Sequence, residues 1–168
     1  MTVLLMTSCF GGGVDKKGSV TGYGSGVVAT EGGSFRVGPL PSDWVRRPFG
    51  YKAILLVHRG KKSSIGVDAF CKRSFDDAPL TGLTRQLFYD LTDQRTLMQK
   101  GVELDGRQAL RTTLSGRLDG ASVMLDVVVL KMNECLFDFF YVSSPGQYAD
   151  DVAHFESFYG GFQYVKGP

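Results

Sequence analysis

From Ser34 onward apolar and polar positions recur at two spacings, which predict short strands and two amphipathic helices. Ser34 to Val37 reads as a first short strand. The loop Gly38-Pro39-Leu40-Pro41-Ser42-Asp43-Trp44 follows, and its prolines exclude a central strand. Trp44 is expected to pack onto the domain edge. Lys52 to His58 contains the unbroken run Ala53 to Val57, the pattern of a strand covered on both faces, and Ile65 to Cys71 is its expected partner across a polar turn. Leu80, Leu83, Leu87 and Leu91 then return at three- and four-residue steps, which predicts a helix over Leu80–Thr92. Asp76, Asp77 and Pro79 stand where a helix start wants them.

The clearest local signal is the pair Asp105-Gly106 and Asp119-Gly120. Asp-Gly suits the positive φ angles of tight hairpins, so three consecutive antiparallel strands are expected. The middle one alternates, with Leu110, Thr112, Leu114, Gly116 and Leu118 on one face and Arg111, Thr113, Ser115 and Arg117 on the other. Val123 to Lys131 is apolar on both faces apart from Asp126, and Cys135 to Val142 completes a four-strand meander. Asp126 must reach solvent or find a partner, for which Arg111 and Arg117 are the cross-strand candidates. After Ser143-Ser144-Pro145 a last helix carries Tyr148, Val152, Phe155 and Phe158 or Tyr159 on one stripe and ends at Gly160-Gly161.

This order of elements, with Asp138-Phe139-Phe140-Tyr141-Val142-Ser143-Ser144-Pro145 leading into a helix that ends Phe155-Glu156-Ser157-Phe158, resembles the Mog1/PsbP-like fold over about Ser34 to Tyr164. The resemblance implies an α+β domain, an α/β/α sandwich in which an antiparallel sheet of about six strands is flanked by two helices. The chain as a whole is similar to small lipoproteins of deltaproteobacteria, the Geobacter group among them. That likeness rests on Cys9-Phe10-Gly11-Gly12-Gly13, Asp68-Ala69-Phe70-Cys71 and Phe75-Asp76-Asp77-Ala78-Pro79-Leu80. Neither resemblance implies an activity.

The amino terminus fits the second resemblance. Met1 to Met6 is apolar, and Thr7-Ser8 places two small residues before Cys9, which resembles the end of a bacterial lipoprotein signal peptide. Met6 stands where leucine is usual. No basic segment precedes it, so a start codon further upstream is expected. A short buried strand over Val3–Met6 is the competing reading. Nine glycines lie between Phe10 and Gly33 without a sustained apolar period, which predicts a flexible tether. Such a coil would span about 25–30 Å. Gly22-Tyr23-Gly24-Ser25-Gly26 lacks the flanking strand, helix and Lys-Ser/Thr pair of a phosphate loop and is read as part of that tether. The expected organisation is therefore a signal remnant over 1–8, a lipidated cysteine and tether over 9–33, and one domain over 34–168.

Composition narrows the function classes. The 168 residues are 43% hydrophobic with a net charge of +2 and no run of basic residues, which argues for one folded domain and against nucleic-acid binding. Three cysteines, Cys9, Cys71 and Cys135, leave an odd thiol in an oxidising compartment unless Cys9 carries lipid and Cys71 pairs with Cys135. No zinc spacing and no serine-hydrolase elbow is present, so no metal, no cofactor and no catalytic residue is assigned. His58 and His154 are expected to be structural, and a nucleophile built from Cys71 and a distant histidine is the weakest reading.

The leading expectation is a non-enzymatic accessory or docking subunit of a cell-envelope complex, concerned with lipid or hydrophobic-molecule transport. Its partners would be the membrane, through the lipid, and an envelope protein. Phe10 after the cysteine, where aspartate commonly retains such proteins in the inner membrane, implies the outer membrane with the domain facing the periplasm. The alternative is a binding module holding a small apolar ligand between the sheet and the last helix around Phe139, Tyr141, Phe155 and Phe158.

Overall fold

The structure is a computed structural model that describes residues 20–24, 26–30, 33–47, 53–71 and 77–165. Its main element is an antiparallel sheet of seven strands. From one edge to the other these are β4 (Trp44–Arg47), β5 (Ala53–His58), β6 (Ser64–Cys71), β10 (Cys135–Ser143), β9 (Ala121–Met132), β8 (Arg107–Leu118) and β7 (Thr92–Leu104). The helix α1 (Leu80–Gln86) lies on one face and α2 (Tyr148–Gly160) on the other, the α+β arrangement the sequence predicts. A second sheet joins β1 (Val20–Gly24), β2 (Val27–Thr30), β3 (Gly33–Arg36) and β11 (Gln163–Val165).

The meander forms as its turns dictate. Asp105 and Gly106 have φ of 47° and 73°, Asp119 and Gly120 of 50° and 79°, the left-handed pairs that match the twist of a tight hairpin. Strand alternation then sorts the core. Val128, Phe137, Phe139 and Tyr141 pack with Phe155 and Phe158 of α2, while Leu125, Val127 and Val129 face the α1 side. Trp44 is buried on the edge strand β4, as its place after the proline loop suggests.

Three expectations need correction. The tether over 9–33 does not extend through its second half. Val20–Thr30 form the hairpin β1–β2, with Gly26 at φ 76° supplying the turn and Val28 fully buried in the main core. The glycines there punctuate a sheet, because the valines between them have a core to enter. Residues 1–19, including Cys9, lie outside the described residues. The first helix stops at Gln86 and not at Thr92. Leu87 to Leu91 turn back toward the sheet, where Phe88 and Leu91 are buried, and the Gln94 side chain donates to the carbonyls of Phe88 and Leu91 at 2.6 and 2.8 Å. Finally, α1 begins without a carboxylate cap: Pro79 occupies the N-cap position, Asp77 is exposed, and Asp76 lies outside the described residues.

Candidate functional site

Polar chemistry in this apolar fold concentrates at three places. The largest lies between α2 and the sheet. Arg111 on β8 and Asp126 on β9 point to the same face, and the guanidinium closes on the carboxylate, with Nη2 donating to Oδ2 at 2.7 Å and Nε donating to both oxygens at 3.1 and 3.2 Å. Tyr148 Oη donates to Asp126 Oδ2 at 2.7 Å. Arg111 Nη1 reaches Glu156 Oε1 at 2.7 Å and Tyr159 Oη at 3.1 Å. Burial works against the Arg111 cation, and its hydrogen bonds to Asp126 and Glu156 outweigh that, so its pKa is raised. Burial, then the hydrogen bond to Asp126, pushes the Tyr148 hydroxyl up to about 12. Every strong donor here is engaged, so the group is a brace that orients α2.

The second place is the first turn of α2. Asp151 is fully buried and accepts from Lys61 Nζ at 2.9 Å, while His154 Nδ1 stands 3.5 Å from the same oxygen. The hydrogen bond to Asp151 raises the pKa of Lys61. Gln147 Oε1 accepts from the Lys62 backbone at 3.3 Å, so the β5–β6 turn is tied to the start of α2. Trp44 has His58 on one side and His154 on another, with ring centroids 5.2 and 6.1 Å away. The third place is on the α1 face, where Asp138 of β10 sits directly across from Asp68 of β6. Burial first, and the neighbouring Asp68 charge second, push Asp138 up to about 8.

These positions decide the residues singled out in the sequence. Cys71 and Cys135 are cross-strand partners joined by a disulfide, so Cys71 has no thiol to pair with a histidine, and that reading is withdrawn. Among the described residues no histidine hydrogen-bonds a serine and no group of three metal-ligating side chains converges. Phe139, Tyr141, Phe155 and Phe158 are each 0% exposed and stack on one another and their neighbours. These four side chains belong to the core cluster between the sheet and α2. Arg111 is the partner expected for Asp126; Arg117 instead donates to the Gly120 carbonyl at its own hairpin.

Sequence reasoning missed Tyr148 and Tyr159 as polar contributors because they sit on an apolar helical stripe, and only their hydroxyls hinted otherwise. Lys61 and Asp151 carry no local signal, being ninety residues apart. Asp138 did carry one: a carboxylate between Phe137 and Phe139 invites the question asked of Asp126.

No family model matches the chain, and no curated protein sequence does. Solved structures do. The cyanobacterial PsbP (CyanoP) of Synechocystis superposes with a TM-score of 0.62 at 14% identity, covering 95% of this chain and 99% of that one. LpqN of Mycobacterium tuberculosis, described as involved in cell envelope biogenesis, gives a TM-score of 0.54 at 13% identity over 79% of this chain and 85% of its own. The Ran-binding protein Mog1p of Saccharomyces cerevisiae gives 0.50 at 13% identity over 86% and 93%. At such identities the likeness concerns architecture, and on that architecture the chain has the Mog1/PsbP-like fold.

Proposed function

We propose that this chain is a lipid-anchored accessory subunit of the bacterial cell envelope, attached through Cys9, facing the periplasm from the outer membrane and acting by docking to a protein partner. The observation that carries this reading is the Cys71–Cys135 disulfide: it suits an oxidising compartment and leaves Cys9 as the one cysteine of three without a partner in the chain, as a lipidated residue requires. The likeness to LpqN supports an envelope role. The Arg111–Asp126–Tyr148 cluster serves as a brace for α2, which supports a docking role, with lipid or hydrophobic-molecule transport as the process that a docking subunit of this kind would serve.

Cell fractionation tests the anchor. The protein should sediment with membranes and take up a fatty-acid probe, and Cys9→Ser should release it; an unchanged distribution refutes lipidation. Crosslinking in intact envelopes tests docking. A discrete protein adduct is expected, whereas lipid co-purifying without any adduct would replace docking by carriage of an apolar ligand.

A further inference from the structure

Exposed cations gather along the β4 side of the seven-stranded sheet. Arg46 and Arg47 lie on the edge strand β4, paired with Leu56 and Leu55 of β5, and Arg59 and Lys62 lie in the β5–β6 turn at the end of the same two strands. The Arg59 amide donates to the Asp43 carbonyl at 2.9 Å, which holds this turn against the start of β4. From Leu55 to Arg59 the chain climbs about 14 Å, so these charges form one stripe. Of the exposed carboxylates, Asp43 and Asp150 stand beside it, and Asp150 already faces Lys61 at 3.6 Å. Charge on a short edge strand is ordinary protection against strand addition, which accounts for β4 but not for Arg59 and Lys62 in the turn.

The second observation is where the chain enters the fold. Val20 opens β1, the outer strand of the second sheet, and β1 approaches β5, the neighbour of β4. Eleven positions separate Val20 from Cys9. Even fully extended they reach about 40 Å, less than the path of roughly 60 Å around half of a domain this size. A lipid on Cys9 therefore cannot reach a bilayer lying against the opposite edge at β7, and it can reach one lying against β4. We propose that the stripe of Arg47, Arg59 and Lys62 rests on the anionic phosphate headgroups of the anchoring membrane and so fixes which way the rest of the domain faces. This rests on the reading of Cys9 as the anchor. The contact is weak and salt-labile by itself, so Cys9→Ser is still released from salt-washed membranes.

Vesicle sedimentation of the Cys9→Ser chain tests the stripe without the lipid. Vesicles of phosphatidylcholine mixed with phosphatidylglycerol should bind it at low ionic strength, and vesicles of phosphatidylcholine alone should not. Arg47→Gln, Arg59→Gln and Lys62→Gln together should lower the partition coefficient on the order of a hundredfold. Arg85→Gln, Arg95→Gln and Arg107→Gln remove the same charge from exposed positions on α1, β7 and β8 and should change it little. Absence of binding, binding that ignores phosphatidylglycerol, or an equal loss in both triple variants overturns the proposal. Loss of the crosslinked envelope adduct in the first triple variant, with no binding to either vesicle, also overturns it and assigns the edge to an acidic protein. Fractionation of Cys9→Ser tests the anchor separately: its failure leaves the vesicle result standing, and failure of the vesicle test leaves the anchor standing.

Discussion

Arg111 and Asp126 stand diagonally across adjacent strands, each facing α2, and their three hydrogen bonds of 2.7 to 3.2 Å are made where the carboxylate is fully buried. Removing one member leaves the other charged in an apolar layer. Arg111→Met should therefore destabilise the fold by about 3–5 kcal/mol, more than the double replacement Arg111→Met with Asp126→Leu, because the double removes both charges. Urea unfolding of the three proteins measures this, and a double variant no better than the single would refute the account.

Asp138 makes stability depend on pH in a direction opposite to that of a salt-bridged carboxylate. Its pKa rises from the ordinary 3.8 to about 8 on folding, so the folded protein keeps a proton that the unfolded chain releases. The sign follows: the contribution is fully present below about pH 4 and is lost as the pH climbs through about 8. The slope approaches about 1.4 kcal/mol per pH unit within that window. Asp138→Asn should flatten the profile and be the more stable protein at pH 8. Equal slopes for the two proteins would contradict it.

The Cys71–Cys135 bridge links residues separated by 64 positions, and a loop of that size confers about 4 kcal/mol by restricting the unfolded chain. The β6–β10 ladder has eight residue pairs of its own, so the reduced protein should keep its circular dichroism while its unfolding midpoint falls. In the unreduced, denatured chain Cys71 and Cys135 should both resist labelling, and Cys9 should take up a maleimide only in protein made without its lipid.

Gly38 and Gly161 are required by contact. A methyl group on Gly38 would strike the Ser157 carbonyl of α2, and one on Gly161 would meet the Gly38 backbone at 2.5 Å, while the Gly38 amide donates to the Phe158 carbonyl at 2.8 Å. Gly38→Ala should cost at least about 2 kcal/mol by forcing the end of α2 from the sheet, whereas Gly146→Ala, with open space around it, should cost far less. Thermal unfolding of the pair gives the comparison.

What the sequence determined by itself was local. Asp-Gly pairs fix two φ angles each, so both hairpins and the meander between Thr92 and Ser143 were legible, as was the stripe of α2. An isolated carboxylate in an apolar strand required Asp126 to reach solvent or find a partner, and Arg111 was one of two candidates. The tertiary structure decided everything that depends on distant residues meeting. Glycine-rich Val20–Thr30 became sheet because β3 and the core were there to receive Val28, and Leu87–Leu91 left the helix because the sheet buried Phe88 and Leu91. Phe139, Tyr141, Phe155 and Phe158 pack against one another because helix placement brings α2 onto β10, which no local spacing encodes. Lys61 met Asp151, and Asp68 met Asp138, for the same reason: strand register and helix placement are set by the whole core, and no local spacing encodes them.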